Sequence, residues 1–96
     1  MLVNIVYLTI FREIVGKREE TIEVPEETTL MSLLKILAKK HGKRFEEELF
    51  NSKTGEVWDY NKVLVNGKFA EELEGRYESK IDDGNKVMIA QAVSGG

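Results

Sequence analysis

Thr29-Leu30-Met31-Ser32-Leu33-Leu34-Lys35-Ile36-Leu37-Ala38-Lys39-Lys40-His41-Gly42 carries the clearest helical period in this sequence. Leu30, Leu33, Leu34 and Leu37 recur at i, i+3, i+4 and i+7, and Met31, Ile36 and Ala38 widen the apolar stripe. Thr29 is a suitable N-cap, because its hydroxyl can accept from an orphan N–H of the first turn. Glu26 and Glu27 lie at the positive end of the macrodipole and Lys39 and Lys40 at the negative end. Gly42 is the expected left-handed stop. A helix with one apolar stripe must bury it against something, and the segments around it read as strands.

Leu2 to Phe11 is dense in β-branched and aromatic residues on both alternating sets, which predicts an interior strand. Phe11 to Gly16 breaks that pattern as a short helical turn. Thr21-Ile22-Glu23-Val24 alternates and stops at Pro25, as a half-exposed strand does. Val63-Leu64-Val65 runs into Asn66-Gly67, a dipeptide made for a tight turn with positive φ. Asp82-Asp83-Gly84 marks a further turn, and Lys86 to Gln91 a last strand, with Val87 and Ile89 facing opposite to Met88 and Ala90. Between the helix and these strands, Lys43 to Tyr60 is a partly exposed excursion pinned by aromatic residues, and Leu73 to Ile81 is expected to be irregular. The order of elements predicts an α+β fold. No repeat or linker divides residues 1–96, so one domain is expected, with 92–96 as a flexible tail.

The composition excludes several functions. With 96 residues and a 42% hydrophobic fraction, the chain can build one core but no deep cleft with walls of its own. It holds 14 basic and 17 acidic residues, evenly spread, so neither nucleic acid nor an anionic membrane is an expected partner. The absence of Cys and the single His leave nothing from which to assemble a zinc site or a thiol nucleophile, so no metal is expected. The apolar runs stop far short of the ~18 residues a membrane span needs. No basic n-region precedes Leu2 and Val3, so a soluble cytoplasmic protein is expected.

Most polar groupings have an ordinary structural reading. His41 is expected to cap the helix C-terminus, where the dipole favours an imidazolium. Asp82-Asp83-Gly84 lacks the ligand spacing of a calcium loop. Glu46-Glu47-Glu48 and Glu71-Glu72 read as solvated faces rather than paired catalytic acids. Trp58 and Tyr60, without a basic groove beside them, read as packing of the excursion.

Val93-Ser94-Gly95-Gly96 is different in kind. A Gly-Gly carboxylate is the least hindered acyl group a polypeptide can present, and both glycines can enter a slot too narrow for any side chain. Composition alone also leaves a plain disordered end open. Four features together resemble the MoaD and ThiS sulfur-carrier family: Leu2 to Gly16 with its Phe-Arg-Glu-x-x-Gly, the Thr-capped leucine helix, Val63-Leu64-Val65-Asn66-Gly67, and Asp83-Gly84-Asn85-Lys86-Val87 leading to Val93-Ser94-Gly95-Gly96. The resemblance implies a ubiquitin-like β-grasp, a mixed sheet packed on one main helix with short extra helices.

The same resemblance implies a mechanism. A ubiquitin-activating-type adenylating enzyme (MoeB/ThiF-like) uses ATP to adenylate Gly96, and sulfur then replaces AMP to give a thiocarboxylate, while the carrier binds no cofactor itself. Gly95, Ser94 and Val93 give the tail access. The destination most in keeping with the resemblance is molybdopterin or tungstopterin synthesis, with the chain as the small, not independently catalytic partner of a MoaE-like synthase subunit. Conjugation to target-protein lysines, or sulfur supply to thiamine or tRNA thiolation, stands beside it. Synthase-serving members commonly carry an aromatic residue and two prolines where this chain has Ala90-Gln91-Ala92, and in this the sequence is more similar to archaeal MoaD-like proteins. Met88 and Ala90 are the expected partner-docking residues, unless the excursion covers Met88.

Overall fold

The computed structural model describes residues 1–92. The elements follow in the order β1 (Leu2–Tyr7), α1 (Thr9–Val15), β2 (Glu19–Glu23), α2 (Leu30–His41), α3 (Lys43–Leu49), β3 (Asn61–Val65), β4 (Lys68–Phe69) and β5 (Lys86–Gln91), with two 3₁₀ turns at Ala70–Glu72 and Arg76–Glu78. The strands form one mixed sheet in the order β2-β1-β5-β3-β4. β1 and β5 are its parallel pair, and the other pairings are antiparallel.

One face of the sheet grips the helices. Val3, Ile5 and Tyr7 of β1, Val63 and Val65 of β3, and Val87 and Ile89 of β5 point to this face and are buried. They meet Leu30, Leu33, Leu34 and Leu37 of α2, all of which are fully buried. Each such side chain contributes about 1.5–3 kcal/mol of burial free energy. The stripe is narrower than its sequence implies: Ala38 is buried, but Ile36 is exposed. At the N-terminus of α2 the Thr29 hydroxyl accepts from the Ser32 N–H at 3.1 Å, as expected of a cap.

Several boundaries differ from expectation, β2 among them, which runs over Glu19–Glu23 rather than Thr21 to Val24. β1 ends at Tyr7, and Ile10 and Phe11 belong to α1, where Phe11 is buried against Phe45 with ring centroids 5.2 Å apart. A short apolar run cannot by periodicity alone be told apart as strand or helix, and here both elements draw on it. Gly42 has φ 99 and ψ −176, a positive-φ conformation that is essentially glycine's alone but lies outside the left-handed helical region. It serves as the C-cap of α2 and the N-cap of α3 at once, turning the chain sharply enough for α3 to start at the next residue. The excursion therefore begins with a helix, whose Phe45 and Leu49 enter the core. Ala92, expected within the tail, is tied down: its N–H donates to the Tyr60 carbonyl at 2.7 Å.

The turns form as expected. Asn66 and Gly67 take φ values of 48 and 84, closing β3 onto β4 with a two-residue loop. Asp83 accepts from the Leu2 N–H through Oδ1 at 2.8 Å, and Asn85 accepts from the Asp82 N–H through Oδ1 at 2.8 Å. The Asp-Asp-Gly-Asn segment thus fixes the start of β5 against the start of β1.

Candidate carrier tail root and docking face

Among the described residues, the helices pack on the first face of the sheet and none covers the second. Directly opposed residues on neighbouring strands share a face, so the register Val6↔Met88↔Leu64↔Phe69 sets four apolar side chains in a row across β1, β5, β3 and β4. Val6 is buried by its neighbours, Met88 and Leu64 are half-buried, and Phe69 is 42% exposed. Ala90, also half-buried, lies opposite Lys62, and Lys86 lies opposite Asn4. An apolar row is thereby flanked by lysines on both sides. The cross-strand neighbours of Met88 are Val6 and Leu64. The alternation in the sequence put Met88 and Ala90 on one face of β5, but nothing in it singled out Val6, Leu64 and Phe69 as their neighbours there. The parity of Leu64 against Val63 and Val65 was the available signal, but the register that aligns the row is a tertiary property.

At the end of β5 the chain is held from several sides. The Gln91 N–H donates to Thr9 Oγ1 at 2.9 Å, and the Gln91 side-chain amide donates to Glu48 Oε2 at 3.0 Å and to Asn61 Oδ1 at 3.4 Å. Asn61, 2% exposed, uses its own amide to donate to the carbonyls of Glu48 and Leu49. Gln91 is therefore the point where α1, α3 and β3 converge on β5. Val93, Ser94, Gly95 and Gly96, the expected access and reacting residues, lie outside the described residues.

His41 does more than cap a helix. Its Nε2 is 2.6 Å from Glu20 Oε2 and 3.1 Å from the Tyr7 hydroxyl, and its side chain is largely buried. Glu20 also accepts from Tyr7 Oη at 2.5 Å and Lys40 Nζ at 2.7 Å, with Lys17 Nζ at 3.3 Å. Burial pushes the Glu20 carboxyl up, but the hydrogen bonds from Lys40, Tyr7, His41 and Lys17 outweigh it and bring the pKa down to about 2. Tyr7 is displaced upward by burial and by the adjacent carboxylate. The cluster staples the edge strand β2 to the C-terminal end of α2. Trp58 and Tyr60 stack on each other 5.5 Å apart, and Trp58 Nε1 donates to the Glu47 carbonyl, so they pack the excursion as expected. Among the described residues no group of side chains could hold a metal ion, and no helix is long and apolar enough to cross a membrane.

The family model for the ThiS family matches residues 5–96. The chain belongs to the ThiS family. It is a member of the ThiS/MoaD-like family of ubiquitin-like sulfur carriers. Among solved structures it is similar to the putative molybdopterin converting factor subunit 1 of Pyrococcus furiosus, at 28% identity over 97% of this chain and 99% of that one, with a TM-score of 0.77. SAMP1 of Haloferax volcanii superposes with a TM-score of 0.86 at 24% identity, each chain covered completely. The BexX/CysO complex of Amycolatopsis orientalis contains a chain that matches with a TM-score of 0.76 at 22% identity, over 98% of this chain and 99% of that one. The last two likenesses speak for the fold, which is the ubiquitin-like β-grasp. No curated protein matches this sequence.

Proposed function

We propose that this protein carries sulfur on the Gly96 carboxylate and delivers it to a pterin in molybdenum or tungsten cofactor synthesis, as the small partner of a synthase. The observation that carries the reading is the ThiS family match running through Gly95-Gly96, on a chain whose last strand is firmly held up to residue 92. The pterin as destination is supported by the likeness to the Pyrococcus furiosus protein.

A Gly96 carboxylate oxygen attacks the α-phosphorus of ATP, the α–β anhydride bond breaks, and pyrophosphate leaves. Sulfide then attacks the acyl carbon, AMP departs with the bonding pair, and loss of the thiol proton leaves the thiocarboxylate. In delivery, its sulfur attacks an electrophilic carbon of the acceptor and displaces an oxygen leaving group, which departs with the bonding pair; water then attacks the acyl carbon of the resulting thioester, returning the Gly96 carboxylate and leaving the sulfur on the acceptor as a thiol. The chain contributes no acid, base or metal to these steps; it contributes position. The activating enzyme and the synthase dock on the lysine-flanked row of Val6, Met88, Leu64 and Phe69, with Ala90 at its margin.

ATP–pyrophosphate exchange with the adenylating enzyme tests this. The parent supports exchange, whereas deletion of Gly95 and Gly96, or one residue added after Gly96, abolishes it. Exchange at the parent rate by either variant contradicts the reading. Ladders of lysine conjugates in place of a thiocarboxylate would assign the same activated glycine to protein modification instead.

A further inference from the structure

In a parallel ladder, the bond that follows Leu8 N–H to the Ile89 carbonyl runs from the Gln91 N–H to the Leu8 carbonyl. This ladder is interrupted there. β1 has ended at Tyr7, and Thr9 turns the chain into α1 with φ 53, a left-handed conformation that β-branched residues rarely adopt. The Thr9 hydroxyl fills the gap: it accepts from the Gln91 N–H at 2.9 Å and donates to the Leu8 carbonyl at 2.7 Å. One side chain thus relays a backbone bond that the strand can no longer make directly. On the other side of the same two residues, Tyr60 accepts from the Ala92 N–H, and Glu48 and Asn61 accept from the Gln91 amide.

We propose that Thr9, Glu48 and Asn61 are positioning residues for acyl activation, forming a collar on Gln91 that sets where and in which direction the chain leaves the sheet at Ala92. This rests on the carrier reading above and adds to it a role for the excursion, which supplies Glu48 and the Tyr60 carbonyl. The four residues beyond Ala92 have a contour length of only ~13–14 Å. With so short a reach, the volume open to the Gly96 carboxylate is decided by the root. A root free to swing spreads the carboxylate over positions from which in-line attack on phosphorus is impossible, and misplacement of about 1 Å can cost on the order of a hundredfold in rate. Gln91 lies beyond Met88 along β5 and alternates to the other face of the sheet, so the collar stands off the docking row and acts on turnover and not on docking.

Two readouts on the full-length protein test the collar. Thr9→Val removes the hydroxyl while keeping the branched shape, Thr9→Ser restores it, and Gln91→Leu removes the amide arm without touching the strained backbone. In amide hydrogen exchange, Thr9→Val is expected to speed the Gln91 N–H by about tenfold or more, leaving the Val87 N–H as in the parent, with Thr9→Ser close to the parent. In ATP–pyrophosphate exchange, Thr9→Val and Gln91→Leu are expected to lower kcat by about tenfold or more at an unchanged half-saturating carrier concentration, with Thr9→Ser recovering the rate. A parent kcat in Gln91→Leu and Thr9→Val overturns the positioning role while leaving the carrier reading intact. A parent that supports no exchange at all overturns the carrier reading, and the positioning role falls with it.

Discussion

Acidification should unlock the Glu20 staple in a pH window that the structure specifies. The Glu20 side chain is 6% exposed and accepts from Tyr7, Lys40 and His41, with Lys17 beside it, which lowers its pKa from an ordinary 4.5 to about 2. Because the folded value lies below the unfolded one, the unfolded chain binds more protons between them, so stability rises with pH across that interval. The contribution is complete above the unfolded value and is lost as pH falls toward the folded one. At 1.36 kcal/mol per unit, the lowered value corresponds to about 3 kcal/mol as an upper figure. The assay is urea unfolding of the parent and Glu20→Gln at pH values from 7 down to 2, taking the difference in unfolding free energy at each. Subtraction cancels the other carboxylates. The difference should be flat near neutrality and should shrink by about 2–3 kcal/mol between roughly pH 5 and pH 2. A difference that stays constant over that interval would refute the argument that the hydrogen bonds from Lys40, Tyr7, His41 and Lys17 stabilise the ionised carboxylate.

Leu34→Ala, at a fully buried position facing the sheet, should cost about 2–5 kcal/mol in unfolding free energy, measured by denaturant titration, whereas the exposed Ile36→Ala should cost less than about 1 kcal/mol. Asn61→Leu should destabilise by about 1–3 kcal/mol in the same titration, because the Glu48 carbonyl loses the Asn61 amide and the Leu49 carbonyl keeps only the Trp58 N–H. Met88→Asp should leave the melting temperature within a few degrees of the parent and weaken binding to the activating enzyme by at least about tenfold in titration calorimetry.

Much of this fold was legible in the residues because local and global preferences agree. The Thr29 cap, the leucine stripe, the Asn66-Gly67 turn and the opposite facing of Val87 and Met88 all follow from rules acting over a few residues. What was not legible depends on partners distant in sequence. Ile10 and Phe11 continue an apolar run whose strand half and helix half are separated only by where Phe45 waits to be packed. His41 looked like a cap because its partners, Tyr7 and Glu20, lie 34 and 21 positions earlier. The tail root was invisible for the same reason: Thr9 and Gln91 are 82 residues apart and meet only because β1 and β5 run side by side. Alternation put Met88 and Ala90 on one face of β5, but the row that runs through Met88 needed the sheet order β1-β5-β3-β4.

The central claim, that Gly96 is a sulfur-carrying acyl group, is tested most directly by intact-mass analysis after incubation with a ubiquitin-activating-type adenylating enzyme, ATP and sulfide. The account predicts a mass gain equal to one oxygen-for-sulfur exchange, dependent on ATP, with fragmentation placing it on Gly96 and its absence when Gly95 and Gly96 are deleted. An unchanged mass in the presence of an active enzyme, or the same gain in the truncated chain, would contradict it.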